Sequence, residues 1–454
     1  MPLMVSVSGI RGIVGEDLTP PVLINFVESF INFLGSNQGK ILIGRDSRES
    51  GKFIERIVEG TINALGYDVV NIGIATTPTV LLMTRKLSCD GGIAVTASHN
   101  PSQWNALKLC DEKGLFLNQE GIEKLKKRVN NPDRSSERWG RFDCLGSTRS
   151  ESNAGLVHID EVLKLIDHDL IKQKKFKVAI DPAGATGSVI DRTFLEKLGC
   201  TVIGINEKLE TRFPRGTEPV PENLDELCNF VKTHKADIGF AQDPDGDRLA
   251  VVSESGTAIG EEYTLVLAGE AYLQRKKTDV ACNLSTSMMI DDLARRFGVN
   301  VHRTKIGEIN VTDKLLKDNL FFGGEGNGGV IVPEINPCRD SITAMGLILE
   351  LLATTGKTIT RIISEFPSYF IKKTKIPVKE KRNEDLYRNI YEKAKVKFPN
   401  YMINTIDGIK IYNNSEWLHI RLSNTEPVMR IMAESQTESI SDKLISASIA
   451  MIDY

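Results

Sequence analysis

One order of elements recurs three times in this 454-residue chain and constrains its fold more than any other feature. Ile41-Leu42-Ile43 reads as a strand; after it come Gly44-Arg45-Asp46-Ser47-Arg48, a helical stretch ending at Leu65-Gly66, and a second strand through Val69-Val70. Val178-Ala179-Ile180 opens the next copy, with Asp181-Pro182-Ala183-Gly184, a helix through Phe194-Leu195 to Leu198-Gly199, and Val202-Ile203. The third runs from Val280-Ala281 through Leu284-Ser285-Thr286-Ser287 and Leu293-Ala294 to Phe297-Gly298, Val299 and Val301. Each time a glycine stands where a helix C-terminus is expected, just before a new strand. Alternation of this kind predicts mixed, mostly parallel sheets with helices on both faces. One α/β unit used three times produces it, and so does the ordinary rhythm of a large α/β chain.

Each copy is followed by a further strand that ends in a polar loop. Ala94-Val95 leads into Thr96-Ala97-Ser98-His99-Asn100-Pro101, Ile238-Gly239-Phe240 into Asp243-Pro244-Asp245-Gly246-Asp247-Arg248, and Leu320-Phe321-Phe322 into Gly323-Gly324-Glu325-Gly326-Asn327-Gly328. Open α/β sheets place ligands at the carboxyl ends of strands, so the three loops are expected to serve one cleft. The tail from about Thr374 differs: Leu386, Ile390 and Ala394 fall at helical spacing, Leu418, Ile420 and Leu422 alternate, and Leu444 to Ile452 is helix-like. A small α+β domain is expected there. The length suits roughly three or four domains.

Lys+Arg number 57 and Asp+Glu 60, a formal charge of −3, so no global field favours nucleic acid or an anionic membrane. The cysteines (Cys89, Cys110, Cys144, Cys200, Cys228, Cys282, Cys338) are odd in number and form no C-x-x-C pair, which predicts reduced thiols in a cytoplasmic protein. No leader-like start and no membrane-length apolar run is visible.

Asp243, Asp245 and Asp247 set three carboxylates at alternate positions in a loop tightened by Pro244 and Gly246. Oxygen ligands of this kind suit Mg²⁺ or Ca²⁺. An EF-hand is excluded because Arg248 stands at the sixth place, where glycine is needed. Three carboxylates cannot saturate octahedral Mg²⁺, so an anionic group should complete the site. Glu325 and Asn327, set among glycines, suit ligand hydroxyls. Arg421, Ser423, Asn424, Thr425 and Arg430 collect guanidinium, hydroxyl and amide donors of the kind phosphate oxygens accept from.

Taken together, these stretches resemble the α-D-phosphohexomutase family over essentially the whole chain. The motifs stand in the family's order: Ser8-Gly9-Ile10-Arg11-Gly12, Gly44-Arg45-Asp46, Thr96 to Pro101, Asp243 to Arg248, Gly324-Glu325 and Arg421 to Pro427. The resemblance implies four domains: a phosphoserine-loop domain at 1–150, a metal-loop domain at 151–255, a sugar-loop domain at 256–370 and a phosphate-binding α+β domain at 371–454. It implies transfer of phosphate between O1 and O6 of a hexose through phosphorylated Ser98 and a hexose 1,6-bisphosphate. Mg²⁺ would be held by Asp243, Asp245, Asp247 and the Ser98 phosphoryl group, and Arg248 would offset charge on the transferring group. Arg11 and Lys108 match the acid/base partners. His99 either joins the chemistry or orients the loop. Arg421, Ser423, Asn424, Thr425 and Arg430 would hold the other phosphate, with Lys305 assisting.

Many relatives end the sugar loop in Ser-Gly-His; here Asn327-Gly328-Gly329 stands instead, so a histidine near the sugar is missing. Loops of this form are similar to an archaeal-type branch described as phosphoglucosamine mutase or phosphoglucomutase/phosphomannomutase. Glucosamine phosphate is the expected substrate, glucose and mannose phosphates the rivals, and a monomer or homodimer the expected assembly. A non-catalytic phosphosugar binder should have lost Ser98 or an aspartate, and has not. A serine hydrolase using Ser98 and His99 lacks G-x-S-x-G, and adjacent side chains on an extended segment point apart.

Overall fold

The computed structural model describes residues 3–35, 38–131, 139–378, 384–423 and 428–452. The chain divides into two compact units, Met1–Ala271 with Gly328–Thr360, and Tyr272–Asn327 with Arg361–Tyr454.

The first unit is built on a mixed sheet in the order Met4–Ser6, Gly9–Ile13, Trp104–Asp111, Gly91–Val95, Lys40–Arg45, Asp68–Ile74, Thr148–Ser150. Pairing is antiparallel from the first edge to Gly91–Val95 and parallel beyond it. Its central strands are apolar without alternation because both faces are covered. Ile41, Ile43, Ile93 and Val95 pack with Phe26, Phe30 and Ile54 of the helices Pro20–Leu34 and Gly51–Ala64. Leu42, Val70 and Ala94 pack on the other side with Val80 and Met83 of the helix Thr77–Lys86. A second sheet runs Leu249–Ser253, Ile238–Gln242, Lys177–Asp181, Thr201–Gly204, parallel except for the Ile238–Gln242/Leu249–Ser253 hairpin, whose tip is the acidic loop. The hairpin of Gly329–Val332 and Asn336–Arg339 leads into the helix Ser341–Thr355, which is buried from Ser341 to Ala353 and apolar nearly all round, as a helix enclosed by its unit must be.

In the second unit, Val301–Thr304, Val280–Asn283 and Phe322–Glu325 pair in parallel. An antiparallel sheet follows, in the order Phe370–Pro377, Val428–Ser435, Glu416–Leu422, Ile409–Tyr412, Met402–Asn404. Leu418 and Ile420 face a core that includes Ile390 and Ala394 of the helix Glu384–Lys397 and Leu444 of the helix Glu438–Ile449. The architecture is α/β, with similar α/β elements and a smaller α+β part at the C-terminal end.

Gly66, Gly199 and Gly298 close the three recurring helices with φ of +82°, +73° and +66°, left-handed values that a helix C-terminus favours in glycine. The glycine-rich stretch differs from expectation. The strand begins at Phe322 and runs to Glu325, so Gly323 and Gly324 are strand residues and not loop. A Cβ on Gly323 would stand 2.4 Å from the carbonyl oxygen of Ala281, so this glycine permits close approach of two strands. All seven cysteines are free, and no helix among the described residues is long and apolar enough to cross a membrane.

Candidate active site

The strand Gly91–Val95 delivers the serine loop, and Ser98 sits on it with φ of +50°, a left-handed conformation uncommon outside glycine. Surrounding groups hold it there. The Ser98 N–H donates to Thr96 Oγ1 at 3.0 Å, and Thr96 Oγ1 donates to Asp46 Oδ2 at 2.6 Å. Arg48, fully buried in an ion pair with Asp46 at 3.0 Å, donates to the carbonyls of Ser98, Asn100 (2.8 Å) and Pro101 (3.2 Å). Burial pushes the Asp46 carboxyl up, and Arg48 and Thr96 oppose that rise. Ser98 Oγ emerges 3.1 Å from Asp243 Oδ2.

Asp243, Asp245 and Asp247 are 0%, 0% and 1% exposed. Gly246 turns the loop at φ +65°, where a Cβ would meet Thr76 Cγ2 at 2.6 Å. Asp243 Oδ1 accepts from the N–H groups of Asp247 (3.2 Å) and Arg248 (3.1 Å). Asp245 Oδ2 accepts from Thr77 Oγ1 (2.7 Å) and Lys108 Nζ (2.5 Å), and Asp247 Oδ2 from Arg339 Nη2 (2.6 Å). The Thr77 N–H, Thr186 Oγ1 and Ser341 Oγ grip the carbonyls of Asp245, Pro244 and Gly246 at 2.8, 2.9 and 2.6 Å. Burial and the neighbouring charges of Asp247 and Asp245 push the Asp243 carboxyl well up; burial acts the same way on Asp245, but the Lys108 charge and the hydrogen bonds from Lys108 and Thr77 together outweigh it and hold Asp245 low.

One oxygen from each of the three carboxylates lies within 4.8 Å of the others, and Oδ1 of Asp245 and of Asp247 are buried without a hydrogen-bond partner. All-oxygen donors, dense negative charge and orphaned lone pairs fit a hard divalent cation, so the loop can hold a metal ion.

Arg11 and Lys108 stand on neighbouring strands of the first sheet, Gly9–Ile13 and Trp104–Asp111. Arg11 donates to the Ser8 carbonyl through Nε (3.1 Å) and Nη2 (3.0 Å) and to Asn100 Oδ1 through Nη1 (2.9 Å). Burial lowers its guanidinium, with Asp245 opposing. His99 Nδ1 lies 3.5 Å from Ser98 Oγ and its Nε2 3.7 Å from Glu218. Burial, then Arg248 and Arg11, push the imidazole far below its usual range, which keeps it neutral. Here the structure corrects the sequence argument that Ser98 and His99 point apart: that holds for extended backbone, and left-handed Ser98 is not extended. Arg248 pairs with Glu218 at 3.2 Å and lies 3.9 Å from Asp247.

In the second unit, Glu325 is 3% exposed. Its Oε1 accepts from Asn283 Nδ2 (2.8 Å) and the Gly307 N–H (3.1 Å), and Asn327 Nδ2 reaches Oε2 at 3.4 Å. Lys305 is exposed in the turn before the helix Glu308–Lys317. Arg421 and Arg430 face each other across the strand pair Glu416–Leu422 and Val428–Ser435. Like charges so opposed repel unless an anion bridges them. Burial lowers the Arg421 guanidinium; Asp407 opposes this and Arg430 reinforces it. Ser423 donates its N–H to Val428 at 2.8 Å; Asn424 and Thr425 lie outside the described residues. Asp407 Oδ2 accepts from the Ile306 N–H at 2.8 Å, and its carbonyl from His419 Nε2 at 2.6 Å.

The four models of the phosphoglucomutase/phosphomannomutase family match in order: α/β/α domain I at residues 3–136, domain II at 157–256, domain III at 260–370 and the C-terminal domain at 374–448. A phosphoglucomutase/phosphomannomutase of Thermococcus kodakarensis is 33% identical over 450 residues, 98% of this chain and 97% of the relative. The chain belongs to the α-D-phosphohexomutase family. Another member, a phosphoglucosamine/phosphogalactosamine mutase of Sulfurisphaera tokodaii, is 31% identical over 443 residues, 96% of each chain. A crystal structure of a phosphoglucomutase/phosphomannomutase family protein from Burkholderia thailandensis shares the fold at a TM-score of 0.83 and 23% identity, over 99% of this chain and 97% of that one.

Of the residues singled out in the sequence, this phosphohexomutase brings together Ser98, His99, Arg11, Lys108, Asp243, Asp245, Asp247 and Arg248 in one unit. The other unit carries Lys305, Glu325, Asn327, Arg421, Ser423 and Arg430. Sequence reasoning missed Arg48, Thr77, Glu218, Asn283, Arg339 and Asp407. Arg48 had a signal, since it closes the Gly44-Arg45-Asp46-Ser47-Arg48 stretch. Thr77 and Arg339 had none, because they meet the acidic loop across 168 and 92 residues of chain.

Proposed function

We propose that this phosphohexomutase interconverts glucosamine 6-phosphate and glucosamine 1-phosphate, with Ser98 as the phosphoryl carrier and a hexose 1,6-bisphosphate as intermediate and activator. The observation that carries this reading is Ser98 Oγ in a strained, pinned loop 3.1 Å from the first of three buried aspartates. Phosphorylated Ser98 gives its phosphoryl group to the free hydroxyl of the sugar phosphate, which loses its proton. The bisphosphate reorients, its other phosphoryl group moves to Ser98 Oγ, and the proton returns to the oxygen left behind. Mg²⁺, bound by Asp243, Asp245, Asp247 and the Ser98 phosphoryl group, would offset charge on the transferring group.

The chain's own residues share the remaining tasks. Arg11 and Lys108 move the protons, His99 orients the serine loop, and Arg248 holds the transferring phosphoryl group. Glu325 and Asn327 take ring hydroxyls. Arg421, Ser423, Asn424, Thr425 and Arg430 hold the phosphate that does not react, with Lys305 assisting. The aminosugar is supported by the name of the Sulfurisphaera relative and by a sugar loop without histidine, whose imidazolium would repel the 2-ammonium group. The Thermococcus relative's name favours a second reading, glucose and mannose phosphates.

The test compares kcat/KM for glucosamine, glucose and mannose 1-phosphates under one set of Mg²⁺ and bisphosphate concentrations, with Ser98 phosphorylation followed by intact mass. The glucosamine value is expected to be highest. A value tenfold below either rival, about 1.4 kcal/mol in transition-state binding, would overturn the sugar and leave the mutase.

A further inference from the structure

The loop between the strand Thr201–Gly204 and the turn Pro221–Asn223 straps across the serine loop and the acidic loop. The ring of Phe213 lies 4.8 Å from the Arg48 guanidinium, and Arg215 is anchored on Asp181 (2.7 Å) and on the carbonyl of Gln242 (2.6 Å). Thr217 Oγ1 donates to the His99 carbonyl. Glu218 ends the strap with its carboxylate 3.2 Å from Arg248 Nη1 and 3.7 Å from His99 Nε2. Its side chain is 47% exposed and that of Arg248 only 12%, so a carboxylate in reach of water sits on an enclosed guanidinium.

Arg248 already borders the acidic loop, with its Nε 3.9 Å from Asp247, so it does not need Glu218 to offset buried charge. What Glu218 adds is a rival anion. A guanidinium that grips a phosphoryl dianion without competition releases it slowly, whereas the bisphosphate must let go and reorient in every turnover.

We propose that Glu218 is a positioning residue that acts through Arg248: an internal counter-anion that takes the guanidinium back when the phosphoryl group leaves. This rests on the assignment of Arg248 to the transferring phosphoryl group. The strap fixes the carboxylate at the right distance through Arg215 and Thr217, so the exchange is a short swing of Arg248 between two anions and needs no larger movement.

The test uses the full chain carrying Glu218→Gln or Glu218→Asp, with Ser98 dephosphorylated as checked by intact mass. Inorganic phosphate binding is measured by calorimetry in an Arg421→Ala/Arg430→Ala background, which removes both arginines of the second site. Glu218→Gln should tighten phosphate about two- to fivefold at low ionic strength, and the gain should shrink in high salt. With Arg421 and Arg430 intact, KM for glucosamine 1-phosphate and kcat should fall together, and Glu218→Asp should restore both. In an Arg248→Ala background, Glu218→Gln should change nothing. Unchanged or weaker phosphate binding in Glu218→Gln, or equal tightening without Arg248, would overturn the proposal; loosening of the strap alone would weaken binding. If Arg248→Ala by itself left phosphate binding unchanged, the assignment of Arg248 would fail instead.

Discussion

The acidic loop and the arginine pair answer opposite problems. Around Asp243, Asp245 and Asp247 like charges are buried at a hairpin tip, and the protein supplies countercharge from Lys108 and Arg339 and grips the loop backbone through Thr77, Thr186 and Ser341. At Arg421 and Arg430 like charges oppose each other on regular strands, and Arg430 is exposed. In the mechanism proposed above, the first region fixes the atom that reacts and the second holds the phosphate that does not. Charge concentrated in the interior therefore comes with dedicated partners, whereas the arginine pair, with Asp407 acting on Arg421, is set on the more open face of a sheet.

Removing Ser98 Oγ, the reacting atom of the proposed mechanism, should break the first region's function outright. Ser98→Ala should abolish phosphoryl exchange between bisphosphate and protein with little change in melting temperature, and measurable exchange of labelled phosphate in that variant would refute the role of Ser98. Lys108→Met should strand buried carboxylates, a loss on the order of 3–5 kcal/mol in urea unfolding, with part of it recovered in Mg²⁺ or Mn²⁺. A variant that metal does not rescue would show that the loop needs the ammonium and that a divalent metal ion cannot replace it.

Arg421→Ala should weaken all hexose phosphates alike, by roughly ten- to a hundredfold for one charge-assisted contact of about 1.5–3 kcal/mol, and Arg430→Ala should cost less because its guanidinium is exposed. A change in sugar preference at constant phosphate affinity would count against that division of labour. The smallest effect concerns the second unit's stability in acid. Burial holds His419 down at about 4 against an ordinary 6.5, with Nε2 donating to Asp407 and Nδ1 against Ser285 Oγ. The unfolded chain therefore takes up this proton first, and stability is lost as pH falls from about 6.5 toward 4. Urea midpoints across that window should fall less steeply in His419→Gln, whose amide can serve both partners.

Local patterns were legible in the sequence and long-range ones were not. The three α/β repeats could be read because strand runs and their closing glycines lie within one unit of chain, and the aspartates because all three fall in a single loop. The glycine stretch misled because Gly323 is required by a neighbouring strand, Val280–Asn283, that lies some forty residues earlier in the chain. The Ser98–His99 contact stayed hidden because it depends on a φ that serine rarely adopts. Arg339 and Asp407 lie in unremarkable stretches, and only folding brings them to Asp247 and Ile306.

The grips on the acidic loop also set a timetable for biosynthesis. Thr77 and Thr186 precede the loop in the chain, but Arg339 and Ser341 emerge from the ribosome only after some ninety further residues. Until then Asp247 lacks Arg339, and the Gly246 carbonyl lacks the Ser341 hydroxyl. The hairpin Ile238–Gln242/Leu249–Ser253 can pair early, but its tip is completed late, by contacts of high sequence separation. A nascent or truncated chain that stops before Arg339 therefore carries the acid cluster with Lys108 and Arg248 beside it but without Arg339 and Ser341, so the finished loop tip is a property that only the nearly complete polypeptide acquires.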